Sequence, residues 1–137
     1  MGTRGNIVII EHDIELVRIY RQYDSYPSAL GLELQEILGN SSIINGFSPR
    51  ETQNLHNGMG CLAATLIKNL KDGIGNIYIN PVHKNRENIA EDCIDYTYVL
   101  KNIKGRIYCT IYYYGKQKSE GYLDDLDMNN LKEVNNG

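Results

Sequence analysis

The chain has 137 residues, a mass of 15.6 kDa and a formal net charge of −3, with its basic residues spread along the sequence. This length fits one domain, and the lack of a basic stripe argues against an extended nucleic-acid surface. The apolar run near the N-terminus has four residues, too few for a signal-peptide core or a membrane span. We therefore expect a cytoplasmic protein with no membrane partner.

Two compositional features concern sulfur and aromatic rings. Cys61, Cys93 and Cys109 form no CxxC pair, so we expect reduced, buried thiols. The chain has 11 Tyr against one Phe and no Trp. The tyrosines can be half-buried packing residues with a hydrated hydroxyl. The alternative is a stacking surface for planar ligands such as nucleobases.

The first predicted element is a β-hairpin. Residues 6–11 and 14–23 are rich in β-branched and aromatic residues, and they flank the polar pair His12-Asp13. In the second strand the alternation places Arg21 on the same face as the apolar Val17 and Ile19.

A buried guanidinium without a partner is costly, so Arg21 should meet a carboxylate, carbonyl groups or an anionic ligand. Asp24 is the nearest internal candidate. One reading is an Arg21–Asp24 pair that shapes the turn before Pro27. The other is that the same pair frames a pocket with Tyr23 and Tyr26 as walls.

A short amphipathic helix should follow, with Ser28 as N-cap and Gly39 as its stop. Its apolar residues recur at helical spacing: Leu30, Leu34, Ile37 and Leu38. Residues 40–57 are a long polar connection, either a binding loop or a poorly ordered segment. We expect Ile43, Ile44 and Phe47 to hold it against the core.

A second helix is predicted over residues 60–71, where a wide apolar stripe that includes Cys61 should make it the most buried helix. The remaining strands are expected over residues 76–80, 93–101, 106–114 and 119–123, with a charged loop over 83–92 and a weak helix over 124–134. The predicted fold is a single α+β domain over residues 1–137: a mostly antiparallel twisted sheet of five to six strands with two helices packed on one face. Residues 123–137 should form a weakly structured tail.

The second helix opens with His56, Asn57, Gly58, Met59 and Gly60. Two glycines at a helix N-terminus allow close backbone approach, and the N–H groups there form a site for an anion. The alternative is that Asn57 caps the helix and the glycines allow tight packing. The segment matches neither the Walker nor the dinucleotide fingerprint.

The sequence offers few signals for catalysis. The three histidines are too scattered for a metal site: His12, His56 and His83. An acidic cluster near the C-terminus reads as the solvated face of a terminal helix rather than a metal site: Asp124, Asp125 and Asp127. We expect no catalytic residue, no metal and no cofactor.

Four segments resemble a family of small proteins encoded mostly by bacteriophages and prophages. They read MGTRG over residues 1–5, YRQYDSYP over 20–27, NGMGCLAA over 57–64 and GIGNIY over 73–78. In that family the second motif more often has Gly where this chain has Ser25. The resemblance covers nearly the whole chain and implies a small accessory phage protein, of the kind that often acts against host defence.

Such proteins commonly sequester a nucleotide messenger or occlude a defence protein. The residues favour the first route: a cage that holds a cyclic oligonucleotide or a cyclic ADP-ribose type of molecule without turning it over. A homodimer or higher homo-oligomer would enclose such a ligand, in the cytoplasm of the host cell. The expected ligand-binding residues are Arg4, Arg21, Gln22, Tyr23, Asp24, Ser25, Tyr26, His56, Asn57, Gly58, Met59 and Gly60.

Two other functions remain open. A protein–protein inhibitor of a defence complex would present an exposed patch, for instance Tyr112, Tyr113 and Tyr114. A small nucleotide hydrolase would need a general base, for which His56 beside Asp24 is the best available pair.

Overall fold

A computed structural model describes residues 2–45, 55–82, 89–91 and 93–131. Within these ranges there are eight strands: β1 (Gly5–Glu11), β2 (Ile14–Arg21), β3 (Ser42–Ile44), β4 (Leu55–Asn57), β5 (Ile77–Asn80), β6 (Tyr96–Ile103), β7 (Arg106–Tyr113) and β8 (Lys116–Tyr122). The same ranges contain two α-helices, α1 (Leu32–Leu38) and α2 (Gly58–Leu70). A π-helical turn, Pro27–Gly31, leads into α1, and a 3-10 helix, Leu123–Asp125, follows β8.

Six strands form one mixed sheet in the order β5-β2-β1-β6-β7-β8. Neighbouring strands are antiparallel except β1 and β6, which are parallel. The short strands β3 and β4 form a separate parallel pair. The predicted α+β class, with five to six strands and two helices, is confirmed. Among the described residues, no helix has the length and hydropathy needed to cross a membrane.

The main core lies between one face of the sheet and the two helices. Alternate residues of the central strands point into it, as the period of a strand requires. Fully buried members include Ile7, Ile9, Ile19, Tyr98 and Leu100 from the sheet, and Leu34, Leu62 and Leu66 from the helices. The opposite face carries a smaller apolar cluster of Val8, Ile10 and Val99, against which Ile89 packs.

The predicted N-terminal hairpin is confirmed, and its turn residues His12 and Asp13 both have positive φ, at 51° and 64°. That geometry is typical of the two-residue turns whose twist matches a hairpin. A β-bulge interrupts the pairing, because Ile9 faces Val17 whereas Ile10 faces Glu15. The bulge places Glu15 and Arg18 on the same face of the sheet, although an odd separation would otherwise put them on opposite faces.

Arg18 lies on the face opposite the main core, which we call the second face, and only 1% of the residue is exposed. Its Nε and Nη2 donate to the Glu15 carboxylate at 3.0 and 2.9 Å, and Nη2 also donates to the carbonyl of Ile89 at 3.0 Å. A second carboxylate, that of Glu91, lies 3.9 Å from Nη1. The guanidinium therefore ties residues 89–91 to the sheet.

Several predicted boundaries differ from the structure. Ser28 is not an N-cap, because the helical segment begins at Pro27 after Tyr26, without a side-chain cap; the fixed φ of proline suits the first helical position. The 40–57 connection contains β3 and β4, so its ends are paired strands rather than irregular loop. Residues 46–54, including Phe47, lie outside the described ranges.

The C-terminal half also differs in detail. Strand β6 begins at Tyr96, later than predicted, and β8 begins at Lys116, earlier than predicted. The helix expected from Asp124 is replaced, as far as residue 131, by the 3-10 helix and turns. Residues 132–137 and His83 are outside the described part of the chain.

The expectation of three buried cysteines is wrong for two of them. Cys109 is buried, whereas Cys61 and Cys93 are exposed. In α2 the buried stripe runs through Met59, Leu62, Ala63, Leu66 and Leu70. Cys61 lies away from this stripe, because one residue rotates a helix by about 100°.

Candidate ligand-binding site

The turn over residues 22–26 packs tightly against the start of β1. The N–H of Ser25 donates to the carbonyl of Thr3 at 3.1 Å, and the hydroxyl of Tyr98 donates to the carbonyl of Ser25 at 2.6 Å. A Cβ at Gly5 would lie 2.5 Å from the Cβ of Ser25, so only glycine permits this approach. Ser25 is fully buried and supports the fold rather than facing a ligand.

Arg21 lies along the core wall, as the strand alternation predicted, with 11% of its side chain exposed. Its partner is not Asp24. Nη2 lies 2.7 Å from Oε2 of Glu33 on α1, and Nε donates to the carbonyl of Tyr23 at 2.9 Å. Asp24 instead adopts a φ of 59° in the turn, a conformation that Asp tolerates better than most residues. The Arg21–Asp24 frame therefore does not form.

Arg4 lies beside this turn and keeps 43% of its side chain exposed. Its guanidinium donates to the carbonyl of Cys93 at 2.5 Å and lies 4.0 Å from the carboxylate of Asp95. The backbone N–H of Arg4 donates to the same carboxylate at 3.2 Å. This cation is anchored on one side and open to solvent on the other.

Three tyrosines form a row at the same end of the sheet, where β6 begins and β7 ends. The ring centroids of Tyr96 and Tyr113 are 4.9 Å apart, and those of Tyr113 and Tyr114 are 4.6 Å apart. Tyr113 and Tyr114 are each 44% exposed. A hydrogen bond to Asp95 and, to a smaller extent, desolvation raise the pKa of Tyr114, and burial raises the pKa of Tyr96. Both rings are therefore uncharged at neutral pH.

A second β-bulge brings a cation to this row. Ile111 pairs with Ser119 whereas Tyr112 pairs with Gln117, so Lys118 is the extra residue in β8. A bulge redirects the side chain it carries. Here Nζ of Lys118 lies 5.7 Å from the ring centroid of Tyr113.

Tyr96 and Lys118 border a cleft of about 290 Å³, which we call the tyrosine cleft. One wall is the turn into α1, the floor is formed by side chains of β6 and β8, and the other wall is the C-terminal segment. The lining residues are Tyr26, Pro27, Ser28, Tyr96, Lys118, Met128, Asn129, Asn130 and Leu131.

The C-terminal wall is held by contacts with the helical layer. The side-chain amide of Gln35 donates to the carbonyls of Leu123 and Leu126 at 2.8 and 2.6 Å. Met128 is 3% exposed, and its sulfur would lie 2.7 Å from a Cβ at Gly31. The glycine thus makes room for Met128, which positions Asn129 and Asn130 at the cleft.

The N-terminus of α2, where we expected a ligand anion, contacts a side chain of the protein itself. The N–H of Met59, at the start of α2, donates to Oε2 of Glu11 at 2.6 Å. Gly58 has a φ of +81°, and a Cβ there would lie 3.0 Å from the same oxygen. The chain thus places its own carboxylate at the helix N-terminus, where we expected a ligand anion. Asn57 is at the N-cap position but makes no side-chain cap hydrogen bond.

His56 and Met59 are buried, with 4% and 0% exposed. Burial lowers the pKa of His56, so its imidazole is neutral at neutral pH. Within the described residues its Nε2 has no hydrogen-bond partner. Gly60 is exposed, and a Cβ added there would meet nothing within 4 Å.

The two predicted groups of site residues lie at opposite ends of β1. Arg4 and residues 21–26 surround its start, whereas Glu11, which contacts Met59, is its last residue. A strand of 7 residues spans about 20 Å. The structure therefore does not bring His56 beside Asp24, and the hydrolase alternative loses its general-base pair. A separate cleft of about 560 Å³ lies at the far end, bordered by Glu11, Asp13 and Lys101 among others.

Of the predicted residues, the structure places Tyr26 in the tyrosine cleft and Arg4 beside the tyrosine row. Tyr23 is 49% exposed, and neither it nor Gln22 lines the cleft. Tyr96, Lys118, Asn129 and Asn130 line the cleft but were not predicted from the sequence. The bulge that turns Lys118 toward Tyr113 has no signature in the sequence, and only the return of the C-terminal segment across the helical layer brings Asn129 and Asn130 to the cleft.

The acidic residues near the C-terminus serve the fold. The backbone N–H of Asn40 donates to the carboxylate of Asp124 at 3.2 Å, and Asp125 lies 3.6 Å from Arg106. Asp127 accepts the N–H of Asn129 at 3.2 Å. Across the described ranges, no group of three or more His, Cys, Asp or Glu is arranged to hold a metal ion.

Comparisons with known protein families, with curated proteins and with solved structures found no match for this chain.

Proposed function

We propose that the protein binds a nucleotide-like small molecule in the tyrosine cleft and sequesters it without chemical change. The observation that carries the proposal is the joint presence of aromatic rings and a cation in one cleft. Tyr26 and Tyr96 line it together with Lys118, and Tyr113 continues the aromatic surface beside it.

The rings supply the surface for a base. Tyr26 is 40% exposed and comes from the turn into α1, whereas Tyr96 comes from the sheet. Stacking of a base on an aromatic side chain contributes about 1 to 3 kcal/mol. The side-chain amides of Asn129 and Asn130, at the other wall, offer donors and acceptors for the edge of a base.

The cations supply the contact for phosphate. Lys118 is in the cleft, and Arg4 lies beyond the tyrosine row on the same end of the sheet. Both side chains suit a phosphate, lysine as a point charge and arginine as a planar fork of donors. A ligand that reaches both cations would carry more than one phosphate or an extended ribose-phosphate chain.

The size of the cleft limits what one chain can enclose. Ligand sites usually measure about 300 to 1,000 Å³, and this cleft of about 290 Å³ is at the lower limit. One chain would cover a base with its sugar and phosphate. A cyclic oligonucleotide or a molecule of the cyclic ADP-ribose type would need further surface, which a homo-oligomer supplies.

The residue types that line the cleft are consistent with binding a ligand without converting it. The described residues that form it include no His, Cys, Asp or Glu, the side chains that most often act as general acids and bases. Together with the resemblance to small phage proteins, this favours a protein that withdraws a nucleotide messenger from a host defence system.

The test is retention of intact ligand. The purified protein is incubated with cyclic dinucleotides, cyclic trinucleotides and cyclic ADP-ribose isomers, washed and heated, and the released material is identified by chromatography and mass spectrometry. Intact ligand supports sequestration, and altered ligand supports a hydrolase. Absence of retention across the panel contradicts both.

A matched pair of lysine variants locates the site. Lys118→Met removes the cation of the cleft, and we expect about a tenfold loss of affinity, equivalent to about 1.4 kcal/mol. Lys101→Met is the control, because Nζ of Lys101 also lies 5.7 Å from a tyrosine ring, that of Tyr108, but away from the cleft. Equal losses in the two variants would place the site elsewhere.

A second candidate is a protein–protein inhibitor, favoured by the exposure of the adjacent Tyr113 and Tyr114. Tyrosine is enriched at the energetic centre of interfaces. In that case no small molecule would be retained. The double variant Tyr113→Ala, Tyr114→Ala would then abolish inhibition of the defence complex, while Lys118→Met would have little effect.

A further inference from the structure

The two edges of the six-stranded sheet differ in charge. Strand β8, at one edge, reads KQKSEGY and carries three charged side chains. Strand β5, at the other edge, lies within residues 73–82, GIGNIYINPV, which carry no charge. Charged side chains on an edge strand prevent pairing with another strand. Strand β5 itself carries no charged residue, and Lys71 reaches this edge at Gly75 and Ile77.

Exposed apolar side chains collect at the uncharged edge. Ile74 is fully exposed, Tyr78 is 49% exposed, and Ile79 is 58% exposed. Leu16 and Val82 are each 41% exposed, and continuation of the β2–β5 register would place these two opposite one another. We call these five residues the edge patch. Exposed apolar side chains at an unpaired strand edge are typical of an interaction site.

The backbone of β5 shows which groups face outward. The N–H of Gln22 donates to the carbonyl of Asn76, and the register continues with Tyr20 opposite Tyr78. In an antiparallel ladder every second residue bonds to the neighbour strand, so the N–H and C=O of Ile77 and Ile79 point away from β2.

The outward groups of Ile77 already have partners within the chain. Its N–H donates to the carbonyl of Gly75 at 2.8 Å, and its carbonyl lies 3.4 Å from Nζ of Lys71. The outward N–H and C=O of Ile79 have no such partner among the described residues. Pro81 follows and has no N–H, so the open part of the edge is centred on Ile79.

We propose that two copies of this chain dimerise by antiparallel pairing of β5 with β5 of the second copy, about a two-fold axis at Ile79. About such an axis, the outward N–H of Ile79 in each copy meets the outward C=O of Ile79 in the other copy, so two hydrogen bonds form. The pairing brings the Ile79 side chains of the two copies together and joins the two sheets into one. This proposal does not depend on the ligand of the tyrosine cleft.

Charge selects a second copy as the occupant. Each chain carries a net charge of −3, so two copies repel weakly at long range, and a contact through uncharged residues adds no further repulsion. Residues 73–82 carry no charge, and the Lys71 side chain that reaches this edge contacts it at Gly75 and Ile77, away from Ile79. The lysines and the glutamate of β8 disfavour self-association through the β8 edge.

The proposal is tested by measuring the molar mass of the protein in solution by light scattering at micromolar concentrations. We expect the wild-type chain at twice 15.6 kDa and Ile79→Lys at the monomer mass, because two lysines would face each other across the axis. Ile79→Val should remain a dimer. The control is Leu32→Lys, since Leu32 is 38% exposed on α1, and this variant should also remain a dimer.

Circular dichroism melts establish that each variant is folded. Hydrogen exchange then tests the geometry: the amide of Ile79 should be protected in the dimer and exchange faster on dilution. A wild-type monomer at all concentrations overturns the proposal and leaves the edge for a strand of another protein. A dimer that persists in Ile79→Lys, or one in which the Ile79 amide stays unprotected, overturns it as well.

Discussion

At the scale of single residues, the two arginines of β2 show how burial depends on partners that are distant in sequence. Alternation correctly placed Arg21 along the core wall, but its carboxylate comes from Glu33 on α1 rather than from Asp24. Arg18 is more deeply buried, because residues 89–91 cover the second face and a bulge places Glu15 beside it. Local spacing predicts the direction of a side chain and not its partner.

The three cysteines should differ in reactivity. We expect Cys61 and Cys93 to react with a thiol reagent in the native protein and Cys109 to react only after unfolding. Burial raises the pKa of Cys109 from 9.0 to about 12. Titration with and without denaturant measures the number of reactive thiols. Three reactive thiols in the native state would contradict the burial of Cys109.

The same thiol makes stability depend on pH. Its folded pKa is above its unfolded pKa, so between about pH 9 and about pH 12 the unfolded state loses the proton first. The contribution is complete below pH 9 and decreases as the pH rises through that window. Cys109→Ala should flatten this part of the curve of unfolding free energy against pH. An unchanged slope in the variant would assign the decrease to other groups, such as the buried Tyr98.

Two neighbouring glycines should respond oppositely to alanine. Gly60 lies in α2 with open space around an added Cβ, so Gly60→Ala should stabilise the protein by about 0.5 to 1 kcal/mol. Gly58 has a φ of +81°, so Gly58→Ala should destabilise it by about 1 kcal/mol or more. Urea unfolding measures both. The same sign for both variants would contradict the backbone conformation described for Gly58.

At the scale of elements, helix starts and bulges decide how the site is built. Helix α2 receives the carboxylate of Glu11 at its first turn, so this N-terminus is satisfied by the fold. The bulge in β8 turns Lys118 toward Tyr113, and the bulge in β2 pairs Glu15 with Arg18. In each case a shift of one residue in the register changes the partners of a charged side chain.

The cap on α2 should be measurable in the stability. Glu11→Ala removes the acceptor of the Met59 N–H, and we expect a loss of about 1 kcal/mol in the free energy of unfolding. Glu11→Gln keeps an oxygen acceptor and should lose less. Equal losses for the two variants would show that the contact depends on the carboxylate charge rather than on the oxygen acceptor.

The buried pair on the second face should be costly to break. Glu15→Gln removes the nearest carboxylate of the buried Arg18 and leaves the more distant Glu91 as its remaining ionic partner among the described residues, and we expect a loss of about 3 kcal/mol. Replacing both partners, Arg18→Met with Glu15→Leu, should cost less than the single change. Chemical denaturation of the two variants gives the comparison. A double variant that is less stable than Glu15→Gln would contradict this account.

At the scale of the whole molecule, the sheet separates two regions that the sequence analysis joined into one site. Arg21 and the tyrosine cleft lie near the start of β1, whereas Glu11 and the start of α2 lie near its end, about 20 Å away. A small ligand bound by one chain cannot touch both. The tyrosine cleft contains the aromatic rings and a lysine. At the far end of β1, the carboxylate of Glu11 accepts a hydrogen bond from the N-terminus of α2.

Because the two regions are far apart, mutations in them should change the free energy of unfolding additively. Arg21→Ala and Glu11→Ala should change the free energy of unfolding independently, with a coupling below about 0.5 kcal/mol. Arg21→Ala with Glu33→Ala is the contrasting pair, because these side chains are 2.7 Å apart and should couple by more than that. Glu11→Ala should also leave the affinity of the tyrosine cleft unchanged. Strong coupling between Arg21 and Glu11 would mean that the two ends are linked through the core.

The sequence by itself determined the fold class, the N-terminal hairpin, the two helices and the direction of Arg21. These features depend on hydrophobic periodicity and turn chemistry, which act over a few neighbouring residues. It also singled out Arg4 and Tyr26, which lie beside or in the cleft.

Only the tertiary structure decided which of these residues come together. The parallel pairing of β1 with β6 brings Tyr96 beside the N-terminal strand, and the returning C-terminal segment brings Asn129 and Asn130 to the same cleft. The Glu11 contact likewise joins residues 48 positions apart. Such contacts are set by packing of the whole core and by the register of the sheet, and no local pattern of residues records them.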